Sequence, residues 1–275
     1  MTFPFTFNSD TSILVVLILT IISFGVGVLG GFVGLALGTI RLPAMILLGI
    51  DPRIAAGTNI IVSSISSFFG AVKHIKEKNI NKRIILFMGI PATIGTLLGG
   101  LLSPHVPVDL LLICVGLLVL WQGVEFILLG MSNKNKISET FGSQPDDKKG
   151  TSNKNNIAME TCLGVSIGTL GGAVGLILGS IRLPAIIRIL KIDPRIAAGS
   201  NLFIGFFMGI TGFIGHSFNN QVDYQLMILM ASAAALGSYI GANYTNRISI
   251  NKFILILGFI LSIVGIILMA RPLLN

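Results

Sequence analysis

The chain alternates long apolar runs with short polar breaks. Runs free of Asp, Glu, Lys and Arg cover 11–40, 54–72, 84–108, 161–181, 196–222, 224–246 and 253–270. A further stretch from 106 to 130 carries Asp109 and Glu125 near its ends. Most of these runs reach the ~18–20 residues that a helix needs to cross a bilayer. The pattern predicts an all-α polytopic membrane protein with about eight long helices. The first segment, 38 residues from Ile13 to Ile50, is too long for one helix, and glycines and Pro43 interrupt it.

That interruption occurs twice. Gly30–Ala44 reads GGFVGLALGTIRLPA and Gly171–Ala185 reads GGAVGLILGSIRLPA, with 12 of 15 residues identical. IDPRIAAG follows at Ile50–Gly57 and again at Ile192–Gly199; Thr58-Asn59 then matches Ser200-Asn201, and His74 matches His216. Gly95 and Gly99 align with Gly237 and Gly241. The chain therefore divides into a first transmembrane repeat (1–130), a polar linker (131–156) and a second repeat (157–275). The linker is rich in Ser, Asn and Lys and has no core of its own.

Charge changes the picture by setting direction. Only 11% of the 275 residues are charged, against roughly 25% in soluble domains, and the net charge of +8 sits almost entirely in loops. It marks the cytoplasmic side and gives no reason to expect nucleic-acid binding. The loop around 73–83 holds Lys73, Lys76, Lys78, Lys82 and Arg83, whereas its counterpart around 215–225 holds no Lys or Arg. The bias reverses in the next loop: 103–109 has none, and its counterpart has Arg247 and Lys252. Equivalent loops then lie on opposite faces, so the repeats are inverted and the linker, with five lysines, is cytoplasmic. Inversion requires an odd number of crossings per half. A re-entrant or broken return after the first span, permitted by Gly30, Gly31 and Gly34 and interrupted by Pro43, supplies it. Parallel halves of four spans are the competing arrangement. The N-terminal MTFPFTFNSD lacks a basic n-region, so no cleaved leader is expected.

Candidate chemistry follows from the broken segments. Irregular backbone is tolerated at membrane depth only inside protein or along a wet cavity, and paired Gly/Pro-interrupted segments point to a transporter's binding site. A half-helix N-terminus favours an anion, and an arginine beside it adds a planar fork for oxyanions. Arg41 before Pro43 and Arg182 before Pro184 fit, with each proline expected to start a half-helix. The two arginines are expected near a shared midplane cavity. Snorkelling to headgroups, or pairing with Asp51 and Asp193, is the structural alternative. Gly31, Gly34, Gly172 and Gly175 permit close approach of backbone to a ligand or of helix to helix. Thr58, Asn59, Ser200 and Asn201 offer uncharged donors to an anion, or bonds across helices. Arg53 and Arg195 read first as parts of helix starts capped by Asp51 and Asp193. His74 and His216 read as interface residues, and Glu125 and Glu160 as solvated span ends. Cys114 and Cys162 form no disulfide framework or metal spacing, and no cofactor, metal or enzymatic motif is present.

The duplicated Gly-rich segment ending in proline, followed by the DPR corner and AAGTN, resembles the TauE/SafE family of sulfite and organosulfonate exporters. The resemblance implies a multi-pass plasma-membrane carrier whose partners are the bilayer and a small sulfur-containing anion. It does not set the substrate, the coupling ion or the oligomeric state. An anion-selective channel and a carrier of another small organic anion remain open. The arginine in LGTIRLP and LGSIRLP departs from the family's more open glycine run. Outward movement of a monovalent anion gains about 2.3 kcal/mol per 100 mV, so export needs no coupling ion.

Overall fold

The computed structural model describes residues 12–33, 35, 37–131, 156–190, 192–243 and 251–274, and these are helices joined by short loops. In chain order the first half has α1 (Ile13–Val33), α2 (Gly38–Leu47), α3 (Pro52–Lys76), α4 and α5 (Val108–Met131). Helix α4 runs through Lys82–Ile84, a π turn at Ile85–Gly89, and Ile90–Leu102. The second half repeats the order: α6 (Asn156–Val174), α7 (Gly179–Pro184, continuing as a π turn over Ala185–Ile189), α8 (Pro194–Phe218), α9 (Tyr224–Asn243) and α10 (Asn251–Leu274). Among the described residues, eight of these helices are long and apolar enough to cross a membrane; α2 and α7 are short. Gly34, most of the linker and Arg247 lie outside the described residues.

The DPR corners form as caps. The Asp51 carboxylate accepts the N–H of Arg53 and of Ile54, and Asp193 accepts that of Arg195. Proline at the next position costs nothing, because its missing N–H lies in the unpaired first turn. Arg53 extends from this corner to donate to the carbonyl of Val106, tying the start of α3 to the α4–α5 loop. Arg195, at the matching corner, is exposed.

In hydrocarbon no hydrophobic force holds helices together, so contact depends on close backbone approach at small residues. A Cβ on Gly31 would lie 2.1 Å from the Ser238 carbonyl oxygen, and one on Gly172 would lie 2.2 Å from that of Thr96. These glycines serve helix packing. They seat α1 on α9 and α6 on α4, and Thr96 and Ser238 are themselves equivalent positions. Gly116 meets Gly265, and Gly123 meets Gly258, along an α5–α10 seam that obeys the same reciprocity.

The centre belongs to α3 and α8, the most enclosed of the spans. They run antiparallel: Ile60 meets Gly212, Ser67 meets Gly205, and Leu202 meets Gly70. The Ser64 hydroxyl donates to the Phe206 carbonyl at 2.7 Å, and residues 64 and 206 occupy the same place in their repeats. Helices α1 and α3 both run parallel to α9, as Gly27–Ala234 with Gly31–Ser238, and Thr58–Asp223 with Ser66–Ser238, require. The chain must therefore return between α1 and α3. Ten-residue α2 accounts for about 15 Å of that return.

Candidate functional site

The short helices do not start as the prolines predict. Helix α2 begins at Gly38 and α7 at Gly179, with Pro43 and Pro184 inside or at the end of the helix. The glycine start places each arginine one turn in, and helical side chains lean back toward the N-terminus. A non-helical residue at Leu37 or Leu178 immediately precedes each helix and fixes the start earlier than proline can. Leu178 adopts φ +46°, and no side chain caps either helix.

Both guanidinium groups are wholly buried: Arg41 and Arg182 are each 0% exposed. Arg41 Nη2 donates to Ser63 Oγ at 2.9 Å. Arg182 donates from Nε to Asn201 Oδ1 at 2.8 Å and from Nη2 to the Asn201 carbonyl at 2.7 Å, and its Nη1 meets Met208 Sδ. Neither has a carboxylate in ion-pair range among the described residues. Asp51 and Asp193 are occupied as caps, so they neutralise neither charge.

A polar stripe accompanies these cations. Asn59, Ser63, Ser64, Ser66 and Ser67 on α3 are all buried. A Cβ at Gly205 would stand 3.3 Å from Ser67 Oγ and 3.4 Å from Arg182 Nη2, so a hydroxyl of one half and a cation of the other face one gap. Asn59 Nδ2 donates across the halves to the Gly175 carbonyl at 2.9 Å. Gly175 itself has φ +77°, and its Cα presses on Ala56 so closely that a Cβ would lie 2.3 Å from the Ala56 Cα. Only glycine fits there.

Other residues expected at the site are used elsewhere. The Thr58 hydroxyl accepts the N–H of Asp223, and the Ser200 hydroxyl accepts that of Asn81, each at 2.9–3.0 Å. Both therefore fasten a loop of the opposite half. Gly31 and Gly172 lie in the packing seams described above, and Gly34 falls outside the described residues.

The family model described as sulfite exporter TauE/SafE matches residues 19–268. The chain belongs to the TauE/SafE family. It is similar to the probable membrane transporter protein YunE of Bacillus subtilis, 22% identical over 90% of this chain and 95% of that one. It is also similar to YdhB of the same organism, again a probable membrane transporter protein, 25% identical over 84% of this chain and 90% of that one. YjnA, another such protein of B. subtilis, is 24% identical over 88% and 94%. No solved structure matches. This TauE/SafE protein is thus a multi-pass membrane transporter.

Two features of the TauE/SafE chain correct the sequence reading. Glu160, expected at a solvated span end, is 2% exposed and pairs with Arg83 at 3.3 Å. His216, expected at the interface, is fully buried in a cluster with Gln221 and Ser103. Ser103 gives its one hydroxyl hydrogen to the Gly100 carbonyl at 2.8 Å. A neutral His216 that donates from Nε2 accepts at Nδ1, so the Gln221 amide, 2.8 Å away, turns its nitrogen toward the ring. His216 Nε2–H donates to the Gly172 carbonyl at 2.8 Å, and a neutral imidazole satisfies every partner. The cluster joins the halves and needs no proton transfer.

An apolar pocket of about 240 Å³ lies between the π turn of α4 and α8, lined by Gly89, Thr93, Phe203, Phe207 and neighbours. Neither arginine lines it. What sequence reasoning missed is the serine stripe. Its signal was present, since Asn59, Ser63 and Ser66/Ser67 recur at i, i+4 and i+7/i+8 on an otherwise apolar helix.

Proposed function

We propose that the chain moves small sulfur-containing oxyanions, sulfite or an organosulfonate, outward through a midplane site between its two halves. The observation that carries this is a pair of fully buried guanidinium groups, at equivalent places in the repeats, without a carboxylate in range among the described residues. Fixed positive charge inside a low-dielectric bundle is costly unless an anion joins it. Hydroxyl and amide groups beside the cations add neutral hydrogen-bond partners for oxyanion oxygens. The name of the matching family, sulfite exporter, favours sulfur over carbon at the anionic centre.

The direction of the helices supports an inverted arrangement. Equivalent helices α3 and α8 run antiparallel, as do α5 and α10, and contacts exchange between the halves position for position. With the basic 73–83 loop in the cytoplasm, the linker faces the cytoplasm and both termini lie outside. A carrier with this symmetry exposes one site alternately to each face. Membrane potential alone then drives a monovalent anion outward, about 2.3 kcal/mol per 100 mV.

Proteoliposomes holding the purified chain test the reading with sulfite, sulfate, thiosulfate, taurine, sulfoacetate and acetate. Saturable uptake of a sulfur oxyanion, accelerated by an inside-positive potential, is expected. Flux that rises without saturation marks a channel. Absence of sulfur-oxyanion flux, or acetate moving as fast as sulfite, refutes the proposal.

A further inference from the structure

The repeats give their arginines the same local sequence, GTIRLP and GSIRLP, yet the surroundings differ. Every guanidinium nitrogen of Arg182 has a partner, and Asn201 alone closes the side fork formed by Nε and Nη2. Arg41 has one engaged nitrogen. Its Nε and Nη1 are buried without a hydrogen-bond partner among the described residues.

A guanidinium offers two forks, Nε with Nη2 along its side and Nη1 with Nη2 at its tip. Ser63 takes a single hydrogen from Nη2, so one complete two-donor fork of Arg41 stays open whichever hydrogen is used. Asn59 does not close it as Asn201 closes its counterpart: its Nδ2 donates across the halves to Gly175, and its Oδ1, the atom through which Asn201 accepts from Arg182, has no partner among the described residues. Thr39 Oγ1, two residues before Arg41, is likewise buried without a partner. The first-turn amides of ten-residue α2 have no side-chain cap, and Arg41 leans toward them. The difference is fixed in sequence on the facing helices: Ser63 corresponds to Gly205, and Ser66 to Met208.

We propose that one oxyanion binds per chain, gripped through two of its oxygens by the open fork of Arg41 beside Ser63. Arg182 is a positioning residue that Asn201 holds to α8, and it makes no second subsite. The inference rests on the anion-transport reading and narrows it. The ligand class is a monovalent anion with two oxygens on one centre, a chemistry that sulfonates, hydrogen sulfite and carboxylates share.

Titration calorimetry on the full chain in lipid nanodiscs, with sulfite, methanesulfonate and acetate as probes, tests this. Wild type is expected to bind one anion per chain. Arg41→Lys keeps the charge and loses the fork, so its affinity falls at least tenfold while its melting temperature stays near wild type. Arg182→Lys lowers the melting temperature and changes affinity by less than about threefold. A stoichiometry of two, equal losses at both arginines, or unchanged affinity in Arg41→Lys overturns the inference and leaves anion transport standing. Wild type that binds none of the three probes overturns the transport reading with it. The ordering of the probes separates sulfur from carbon oxyanions.

Discussion

Replacing Arg83 by methionine isolates the cost of a carboxylate stranded between the halves. Glu160 on α6 is 2% exposed and meets Arg83 of α4 at 3.3 Å. At that separation and an effective dielectric of ~20 the attraction is about 5 kcal/mol. Taking the carboxylate out of water costs several kcal/mol, so the intact pair contributes little net stability. Removing only the cation leaves the desolvation cost uncompensated. Glu160 can take up a proton once its partner is gone, so Arg83→Met should destabilise by about 1–3 kcal/mol. Glu160→Leu in the same chain should restore most of that loss, because an apolar pair fills the seam without any buried charge. Unfolding by SDS titration in mixed micelles reads all three chains. An Arg83→Met chain as stable as wild type would refute the reasoning. So would a double variant no more stable than the single one.

Gly175→Ala should prevent accumulation of folded protein, since the new Cβ would overlap Ala56 and φ is +77°; Gly49→Ala, with φ +94° and nothing within 4 Å, should cost only the strain of about 1–3 kcal/mol. Monodispersity in detergent and thermal melting compare the two, and similar behaviour would mean the α7 turn is looser than it looks. Lys78 and Asn220 are equivalent exposed loop residues with φ +56° and +53°. Cysteines placed there, in a chain with Cys114 and exposed Cys162 changed to serine, should label from opposite sides of the membrane. Labelling from one side defeats the inverted arrangement.

The eight spans were legible because hydrocarbon demands long uncharged runs, and the Asp51 and Asp193 caps because Asp-Pro is a local signal. The start of α2 was not. Proline favours the first helical turn, but α2 begins at Gly38, five residues before Pro43, where Gly38 packs against Ser63 and Asn59 of α3. Glu160 was misjudged for a different reason. Its partner is 77 positions away on a helix of the other half, and no local pattern announces such a pair. The inequality of Arg41 and Arg182 is hidden further still. Their own segments are nearly identical, and the distinction resides in Ser63, Gly205 and Met208 on the facing helices.

The reciprocal packing has a consequence for biogenesis. Helix α1 finds its main partner in α9, α3 in α8, α4 in α6 and α5 in α10, so each long helix of the first half rests chiefly on one from the second. When the ribosome has delivered α1–α5 to the bilayer, their glycine seams still face lipid. Consolidation waits for the final hundred-odd residues and then proceeds along every seam together. A product truncated in the linker has inserted helices and no folded core, which makes it a substrate for membrane proteases. Two half-length chains made separately carry both sides of every seam described here, and so the surfaces needed to find each other.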